Sequence, residues 1–558
     1  MSSHSKTTPP PVLIVGAGPS GLLASLWLTK YGIPHRIIDK ATTTGQTSRA
    51  IGVQARTLEM YRMLGMNQAN ISLDQEIINI GAKVAKMNIS NNGVKHGEIL
   101  IGDAGIGQSM FPFLLNVTQD EHEEILQRRL EMLGQRVERG VEMVRMDWPA
   151  KDDPSGYVDV TIRPIGTNDE ETVTASYVIG CDGAHSAVRR ATGIAMEGGT
   201  YERSFFVADV LCHGSFKTVE HLNICLSRND FVVVLPLPYK ENRARLIGIA
   251  PGHLVESEGR EITFDDCSST IVKAAPGLIV DEVRWFAHYK VHHRCAASFQ
   301  YDSRVFICGD AAHLHSPIGG QGMNTGLGDA SNLAWKVATA WHVAARSESP
   351  SDSSAFADNL LATYSAERRR FADNLVSTND KLFQFIIQQG TVGWLLRNIF
   401  MPYIIPFVAN VLNLRTVMFG KISQTAIEYG PSTLSQSNTS KALQGHRLPW
   451  LERPLGAADE IDNHSLLDGN SWQAHAFGTI ASAAQQILEG ADIPIYRFPF
   501  NSEVSKKGFK ENTIYLVRPD GYIGLVWTRG VDSEQDIKEY LMLGEYIQQW
   551  GVGPVVRK

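Results

Sequence analysis

The sequence predicts an α/β fold in three parts: a parallel-sheet domain assembled from separated stretches of chain, an inserted β-sheet, and a C-terminal αβ unit. Three observations predict it. Three glycine-rich segments, Gly16-Ala17-Gly18-Pro19-Ser20-Gly21, Cys181-Asp182-Gly183-Ala184-His185-Ser186 and Gly309-Asp310-Ala311-Ala312-His313, each follow an apolar strand-like run and precede a helix-like one. The stretch between the second and third alternates apolar and polar residues, as a sheet with one buried face does. Finally, a Ser/Thr-rich run from Pro431 to Ser440 interrupts the pattern before an αβ unit that begins near Gly445. At 558 residues the chain exceeds what one core organises, so two or three domains are expected.

Residues 1–10 form a polar, proline-ended tail expected to be disordered. Val12-Leu13-Ile14-Val15 then reads as a buried parallel strand. In the turn behind it, Gly16 permits the tight bend, Gly18 lets a phosphate approach the backbone, and Gly21 lets the helix pack closely. That helix opens at Pro19 and Ser20 and keeps Leu22, Leu23, Leu26 and Trp27 on one face. His35-Arg36-Ile37-Ile38 is the second strand, ending in Asp39 and Lys40. An acid about 20 residues beyond the glycine turn accepts both hydroxyls of an adenosine ribose, which favours FAD or NAD over NADP. Strand, helix and acid together define a Rossmann-type dinucleotide site, where the glycine pattern alone is weak.

Gln119 opens a helix in a Gln-x-x-x-Glu pattern, with Ile125, Leu126, Leu130 and Leu133 turned to the core. A strand that ends in a glycine turn leaves the next helix's N–H groups unpaired and its positive end exposed, where a pyrophosphate or an electron-rich ring edge binds. Three such ends imply one long cofactor held at several points. Between the second and third, Ser204 to Val210 and Phe231 to Leu237 read as antiparallel strands covering a pocket. In Trp285 to Arg294, strand alternation sends Ala287, Tyr289, Val291 and His293 to one face and Phe286, His288, Lys290 and His292 to the other.

After the third turn, Pro317-Ile318-Gly319-Gly320-Gln321-Gly322-Met323-Asn324 opens a helix and aims backbone donors at whatever stacks above them. The plainer reading is a glycine turn that lets helix and sheet pack. Ile399 to Leu414 is strongly apolar, but Pro402, Pro406, Asn410 and Asn413 interrupt it and it falls short of the roughly 20 residues of a membrane span. A buried helical element is expected there, with a monotopic membrane contact as the alternative.

A net charge of −7 argues against a nucleic-acid partner. The 43% hydrophobic and 20% charged fractions are those of a soluble globular protein. Cys181, Cys212, Cys225, Cys267, Cys295 and Cys308 include no C-x-x-C pair and no metal-ligand spacing, so no metal, reduced thiols and a cytoplasmic location are expected.

Tyr177 to Arg189 and Arg304 to His313, with the first turn, resemble the fingerprints of single-component (class A) FAD-dependent aromatic hydroxylases, and in particular the phenol hydroxylase branch. The resemblance runs from Val12 to about Trp527. It implies an FAD-binding domain over 11–195 and 296–375, a substrate-binding sheet over 80–113 and 196–295, and a helical segment over 376–430. A linker over 431–444 and a thioredoxin-like domain over 445–558 complete it. That last domain has no cysteine, which excludes thiol–disulfide chemistry and leaves subunit contact or pocket closure as its role.

By the same resemblance, Gly16, Gly18, Pro19, Ser20, Gly21, Asp39 and Lys40 hold the ADP half of FAD and Arg49 its pyrophosphate. Gln119 and Asp310 bond the ribityl chain, beside Gly309. Asp182 and Gly183 sit where flavin and nicotinamide recognition meet, and Pro317, Gly320, Gly322, Met323 and Asn324 wrap the flavin ring. The helix end in that loop stabilises the negative charge of the reduced flavin near N1 and O2. Tyr289 resembles the tyrosine that bonds the substrate's phenolic oxygen, although a core tyrosine with a satisfied hydroxyl is the plainer reading. The branch has an acid just before a Gly-Leu-Gln-x-Arg-Thr-Leu-Glu stretch; here that place is Ile51, which points to a larger, more apolar aromatic, with His288, His292 or His293 as alternative bases.

The implied reaction is hydroxylation of a phenolic or polyketide-like substrate by a C4a-hydroperoxyflavin, with NADPH or NADH as transient cosubstrate, in a homodimer without a membrane span. Epoxidation or Baeyer–Villiger insertion on a non-aromatic substrate, an FAD-dependent reductase, and a non-catalytic flavoprotein are the alternatives.

Overall fold

The structure is a computed structural model that describes residues 8–45, 50–148, 156–214, 218–227, 230–238, 242–251, 262–316, 320–387, 390–411, 414–430, 432–440, 442–452, 461–528 and 533–555. The first domain is built on a six-stranded sheet in the order Gln300–Tyr301, Val305–Ile307, Val178–Gly180, Val12–Val15, His35–Asp39 and Val137–Arg139. Its strands pair in parallel except for the outermost Gln300–Tyr301. Val12–Val15 takes an inner position because all four of its side chains are apolar and buried. Val15 pairs with Gly180 and Gly180 with Ile307, so the three glycine turns emerge side by side at the strands' carboxyl ends. That edge is where open α/β sheets bind ligands. Helix Pro19–Lys30 packs beneath Gly322–Arg346, tied by a buried bond from Trp27 Nε1 to Ser331 Oγ of 3.1 Å.

The inserted sheet has eight strands, ordered His313–Leu314, Leu278–Ala296, Met196–Gly214, Arg243–Ile249, Phe231–Pro236, His221–Leu226, Lys86–Asn91 and Val94–Leu100. Lys86–Asn91 runs parallel to His221–Leu226; the other neighbours are antiparallel. Side-chain alternation gives it two faces. Phe206, Ala208, Val210, Val232, Val234 and Leu246 meet Cys267 and Ile271 of helix Phe264–Ala274. Phe205, Val233, Ile247, Ile249, Tyr289 and Val291 point the other way.

Two expectations about the helical region change. The boundary expected after residue 375 falls inside one continuous helix, Pro350–Ile387. The Ile399 to Leu414 stretch is not a buried element: Ile399, Phe400, Tyr403 and Phe407 are 39%, 42%, 52% and 65% exposed. Pro402 has no N–H to give, the backbone widens into a π-turn over Leu396–Ile404, and the segment lies along the edge hairpin instead of entering a core. Gly97 admits it, since a side chain there would meet the Pro406 ring and the Pro402 carbonyl.

The C-terminal unit has a five-stranded sheet ordered Gln436–Ser437, Ile523–Thr528, Thr513–Val517, Gln473–Phe477 and Ile495–Phe498. Gln436–Ser437, from the stretch expected as a linker, is therefore an edge strand. Nor is the unit a free-standing body, because its apolar residues continue the core of the first domain. Trp472 meets Trp335 edge to face at 5.8 Å between ring centres. Arg518 donates twice to Glu367 at 2.8 and 3.0 Å, and Lys336 donates to the same carboxylate at 2.9 Å, all fully buried. Arg447 likewise reaches Glu59 at 3.0 Å. A buried guanidinium requires such a partner, so these five charges join the unit to the domain.

Candidate active site

The first turn is shaped by glycine where nothing else fits. Gly16 has φ +102°, and a Cβ there would collide with the Cys181 carbonyl; a Cβ on Gly21 would collide with the Gly16 carbonyl. Around Gly18, in contrast, there is open space, and the helix start it caps has no side-chain partner. This is a cradle with unspent N–H donors at a positive helix end. Asp39 closes it, accepting from Ala17 N at 2.6 Å and Ala41 N at 2.7 Å, with Arg139 at 3.7 Å. Ser20 Oγ lies against Gly309 and Gly326 and so packs the first motif on the third. Lys40 is exposed beside the cradle.

The second and third turns are pinned by acids. Asp182 Oδ2 accepts from Ala187 N at 2.6 Å and Val188 N at 3.2 Å, while its buried Oδ1 has no protein partner. Gly183 beside it has φ +79°. Arg189 bridges the two turns, donating to Ala184 O and Ala311 O at 2.7 Å each. Gly309 N donates to Asp329 Oδ2 at 3.0 Å, His313 Nε2 lies 2.8 Å from the same oxygen, and Arg368 Nε donates to Oδ1 at 2.7 Å. Burial pushes the Asp329 carboxyl upward, but Arg368 and His313 outweigh it and hold it at about 2. Asp310, next to Gly309 in the third turn, is exposed.

The loop expected to wrap a ring is held by Asn324, which is fully buried. Its Nδ2 donates to Gly52 O at 2.8 Å and Gly320 O at 2.9 Å; its Oδ1 accepts from Gln54 N at 2.9 Å and Thr57 Oγ1 at 2.7 Å. Gly320 takes φ +59° to make this turn, and Gly322 starts the helix beyond it. Gln119 reaches the residue two before Gly52, accepting from Ala50 N at 3.2 Å, and donates to Glu123 at 2.8 Å. Met323 is held from below: Tyr61 lies 2.6 Å from His122 Nε2, and His122 Nδ1 lies 3.3 Å from the Met323 sulfur. Burial drops the His122 pKa to about 3, so the imidazole is neutral; with Tyr61 donating to Nε2, Nδ1 carries the proton toward sulfur.

The substrate side is defined by strand register. Arg245 pairs bidentately with Asp209 at 2.6 and 2.7 Å and donates to Ala50 O at 3.0 Å, so its face of the inserted sheet looks toward the cradle. Asp209 is in register with Trp285 and Phe205 with Tyr289, which places Tyr289 on that same face. Ile51, 7% exposed, packs with Leu235 and Leu237, with Leu222, Val233 and Ile247 around them. His288 lies on the opposite face, as the alternation predicts, and burial lowers its pKa. His292 bonds Thr200 Oγ1 at 2.7 Å, and His293 packs on the Tyr201 ring at 4.6 Å.

Thus Gly16, Gly18, Pro19, Ser20, Gly21, Asp39, Gln119, Asp182, Gly183, Gly309, Gly320, Gly322, Met323 and Asn324 gather along one edge of the first domain's sheet. Arg49 and Pro317 lie outside the described residues. Sequence reasoning missed Gln54, Thr57, Tyr61, His122, Arg245 and Arg368. None carries a spacing signal; each acts through a partner far along the chain. The open space at Gly18, the partnerless Asp182 Oδ1 and a buried, partnerless Gln321 Oε1 fit a bound group with phosphates at one end and a polar ring at the other.

The chain belongs to the FAD binding domain family, whose model matches residues 10–379. It is an FAD-dependent monooxygenase. It is 27% identical over 539 residues to 6-methylpretetramide 4-monooxygenase of Streptomyces rimosus, covering 92% of this chain and 90% of that one. It is 30% identical over 388 residues to pentachlorophenol 4-monooxygenase of Sphingobium chlorophenolicum, covering 68% and 65%. Among solved structures, an aklavinone-11 hydroxylase in ternary complex with FAD and aklavinone superposes with a TM-score of 0.72 at 19% identity, over 98% of this chain and 99% of that one. OxyS anhydrotetracycline hydroxylase from Streptomyces rimosus gives 0.69 at 22%, over 98% and 100%.

Proposed function

We propose that the protein hydroxylates a polycyclic phenolic or polyketide-like aromatic, consuming dioxygen and NADPH or NADH. One observation carries this reading: Tyr289 stands on the cradle-facing side of the inserted sheet, beside an apolar wall that includes Ile51. When bound, FAD supplies the dioxygen activation. The protein's residues do the rest. The helix start at Gly18 offers N–H donors to the cofactor's phosphates, Asp182 and Asp329 fix the second and third turns by taking up their backbone N–H groups, and Asn324 holds the ring loop at a fixed height. Ile51, Leu235 and Leu237 keep water from the reacting face, which guards against unproductive release of peroxide. The Tyr289 hydroxyl accepts the hydrogen bond of the substrate's phenol and makes the ring more nucleophilic. Polyketide and chlorophenol monooxygenases among its relatives support the substrate class.

In the C-terminal unit, a strand–helix–strand followed by an antiparallel hairpin and a closing helix supports the thioredoxin-like reading; without a thiol its part is structural. We place the protein in the cytoplasm as a homodimer, which sedimentation velocity checks. The decisive experiment is oxygen uptake by the yellow, FAD-loaded protein with NADPH and a panel of polycyclic phenols, with product mass measured. A product heavier by one oxygen is expected. Nicotinamide oxidation with no oxygen in the product would leave only a reductase.

A further inference from the structure

We propose that the outward face of the Thr391–Asn410 segment, continued by Val417, rests on the surface of an anionic lipid bilayer. The segment is 20 residues long with a mean hydropathy of 1.4, yet only 29% of it is buried. Trp394, Leu395, Phe400, Tyr403, Phe407 and Val417 are between 42% and 65% exposed. So large an exposed apolar patch marks a binding surface, and tryptophan and tyrosine are the residues that settle at the headgroup boundary.

The segment lies on the bilayer and does not cross it. Pro402 and Pro406 interrupt it, Leu396, Met401 and Ala409 are buried against the protein, and the edge hairpin holds it by three hydrogen bonds. These are Asn91 to Asn398 at 2.7 Å, Tyr403 with His96 at 2.9 Å, and Asn410 to the Glu98 carbonyl at 2.8 Å.

Charge selects the occupant. From Gly390 to Ile422 the chain has no Asp or Glu but has Arg397 and Lys421 besides the Asp103-paired Arg415, although its net charge is −7. The nearby carboxylates Glu98 and Asp103 are paired with Lys86, Lys95 and Arg415. A second copy docking by a twofold axis would set these cations against themselves; anionic headgroups complement them while repelling the acidic remainder of the molecule. The placement also has a use, which rests on the function proposed above. The segment's inner residues Met401, Ala409, Ile405 and Met418 share one apolar cluster with Phe205, Tyr289 and Val291, so it roofs the substrate-facing side of the sheet. A polycyclic substrate dissolved in the bilayer would reach Tyr289 across this one layer.

The test is flotation of the full-length FAD-loaded protein with vesicles of phosphatidylcholine plus phosphatidylserine, against phosphatidylcholine alone, at low and high salt. Partition about tenfold stronger into the anionic vesicles, weakened by salt, is expected. The F400S/F407S double variant should lose about tenfold in partition while keeping its flavin absorbance and its turnover of a water-soluble phenol. Three results overturn the proposal: no flotation, flotation unchanged in the variant, or a dimer that the variant converts to monomers in light scattering without any vesicle binding. None of these touches the monooxygenase reading, which the turnover assay checks by itself.

Discussion

Tyr289 and Asn324 separate two kinds of work done by single side chains. Tyr289 stands on the cradle-facing sheet surface, so Tyr289→Phe should lower hydroxylation turnover by about tenfold to a hundredfold and flatten its pH dependence, with FAD affinity unchanged. Steady-state kinetics across pH with a flavin-binding titration decide it; full turnover with an unchanged pH profile would remove the role. Asn324 makes four hydrogen bonds to the 52–57 stretch and Gly320, and none of its polar atoms is left over for a ligand. Asn324→Leu should therefore weaken FAD binding by about tenfold or more through loss of the loop's position, since it strands buried partners. A fluorescence titration of the purified apoprotein measures this. Asn324 was legible as a candidate because closely spaced glycines open its helix. Its partners Gly52, Gln54 and Thr57 were not, since no local pattern tells a chain which residue some 270 positions away will bond it.

Among the elements, the three glycine turns were legible because each is a local event: an apolar strand, a bend that only glycine allows, and a helix. Their glycines are nonetheless unlike, and the sequence pattern cannot tell them apart. Gly21→Ala should destabilise the fold, because its Cβ would meet the Gly16 carbonyl, whereas Gly18→Ala should leave thermal stability of the apoprotein within about 0.5 kcal/mol and lower FAD affinity. Thermal unfolding of both apoproteins, with flavin titration of the folded one, distinguishes them; equal destabilisation would count against an open phosphate site. The Ile399 to Leu414 element was misread because apolar composition reports that a surface avoids water, not which surface covers it. Alternation in Trp285 to Arg294 was read correctly because a strand's two faces follow from parity alone.

At the scale of the whole molecule, the C-terminal unit is joined to the first domain by buried charges. Burial raises the Glu367 and Glu59 carboxyls, but Arg518 with Lys336 and Arg447 with His464 outweigh it and hold both at about 2. Folded values below the unfolded carboxylate range mean that the stability these pairs confer is full above about pH 4.5 and is lost as pH falls toward 2. The thermal midpoint should accordingly fall between pH 5 and pH 3 as a single transition involving both parts, followed by differential scanning calorimetry. Glu367→Gln should cost about 3 to 5 kcal/mol, because Lys336 loses its paired carboxylate in a dry site and Arg518 keeps only Asp520. An independently melting C-terminal unit would contradict this coupling. Nothing in the run from Pro431 to Ser440 announced it: a polar stretch looks the same whether it tethers two bodies or adds an edge strand to one of them.

The discontinuity of the cradle has a bearing on how the molecule is made. Its walls come from residues near 16, 119, 182 and 324, and the helices behind it are sealed only when Arg518 reaches Glu367. A ribosome emits these pieces in order, so the early strands wait, unsupported, for partners hundreds of residues downstream. Loading of the prosthetic group is thereby deferred until translation is nearly finished, and nascent chains halted short of Arg518 should emerge colourless.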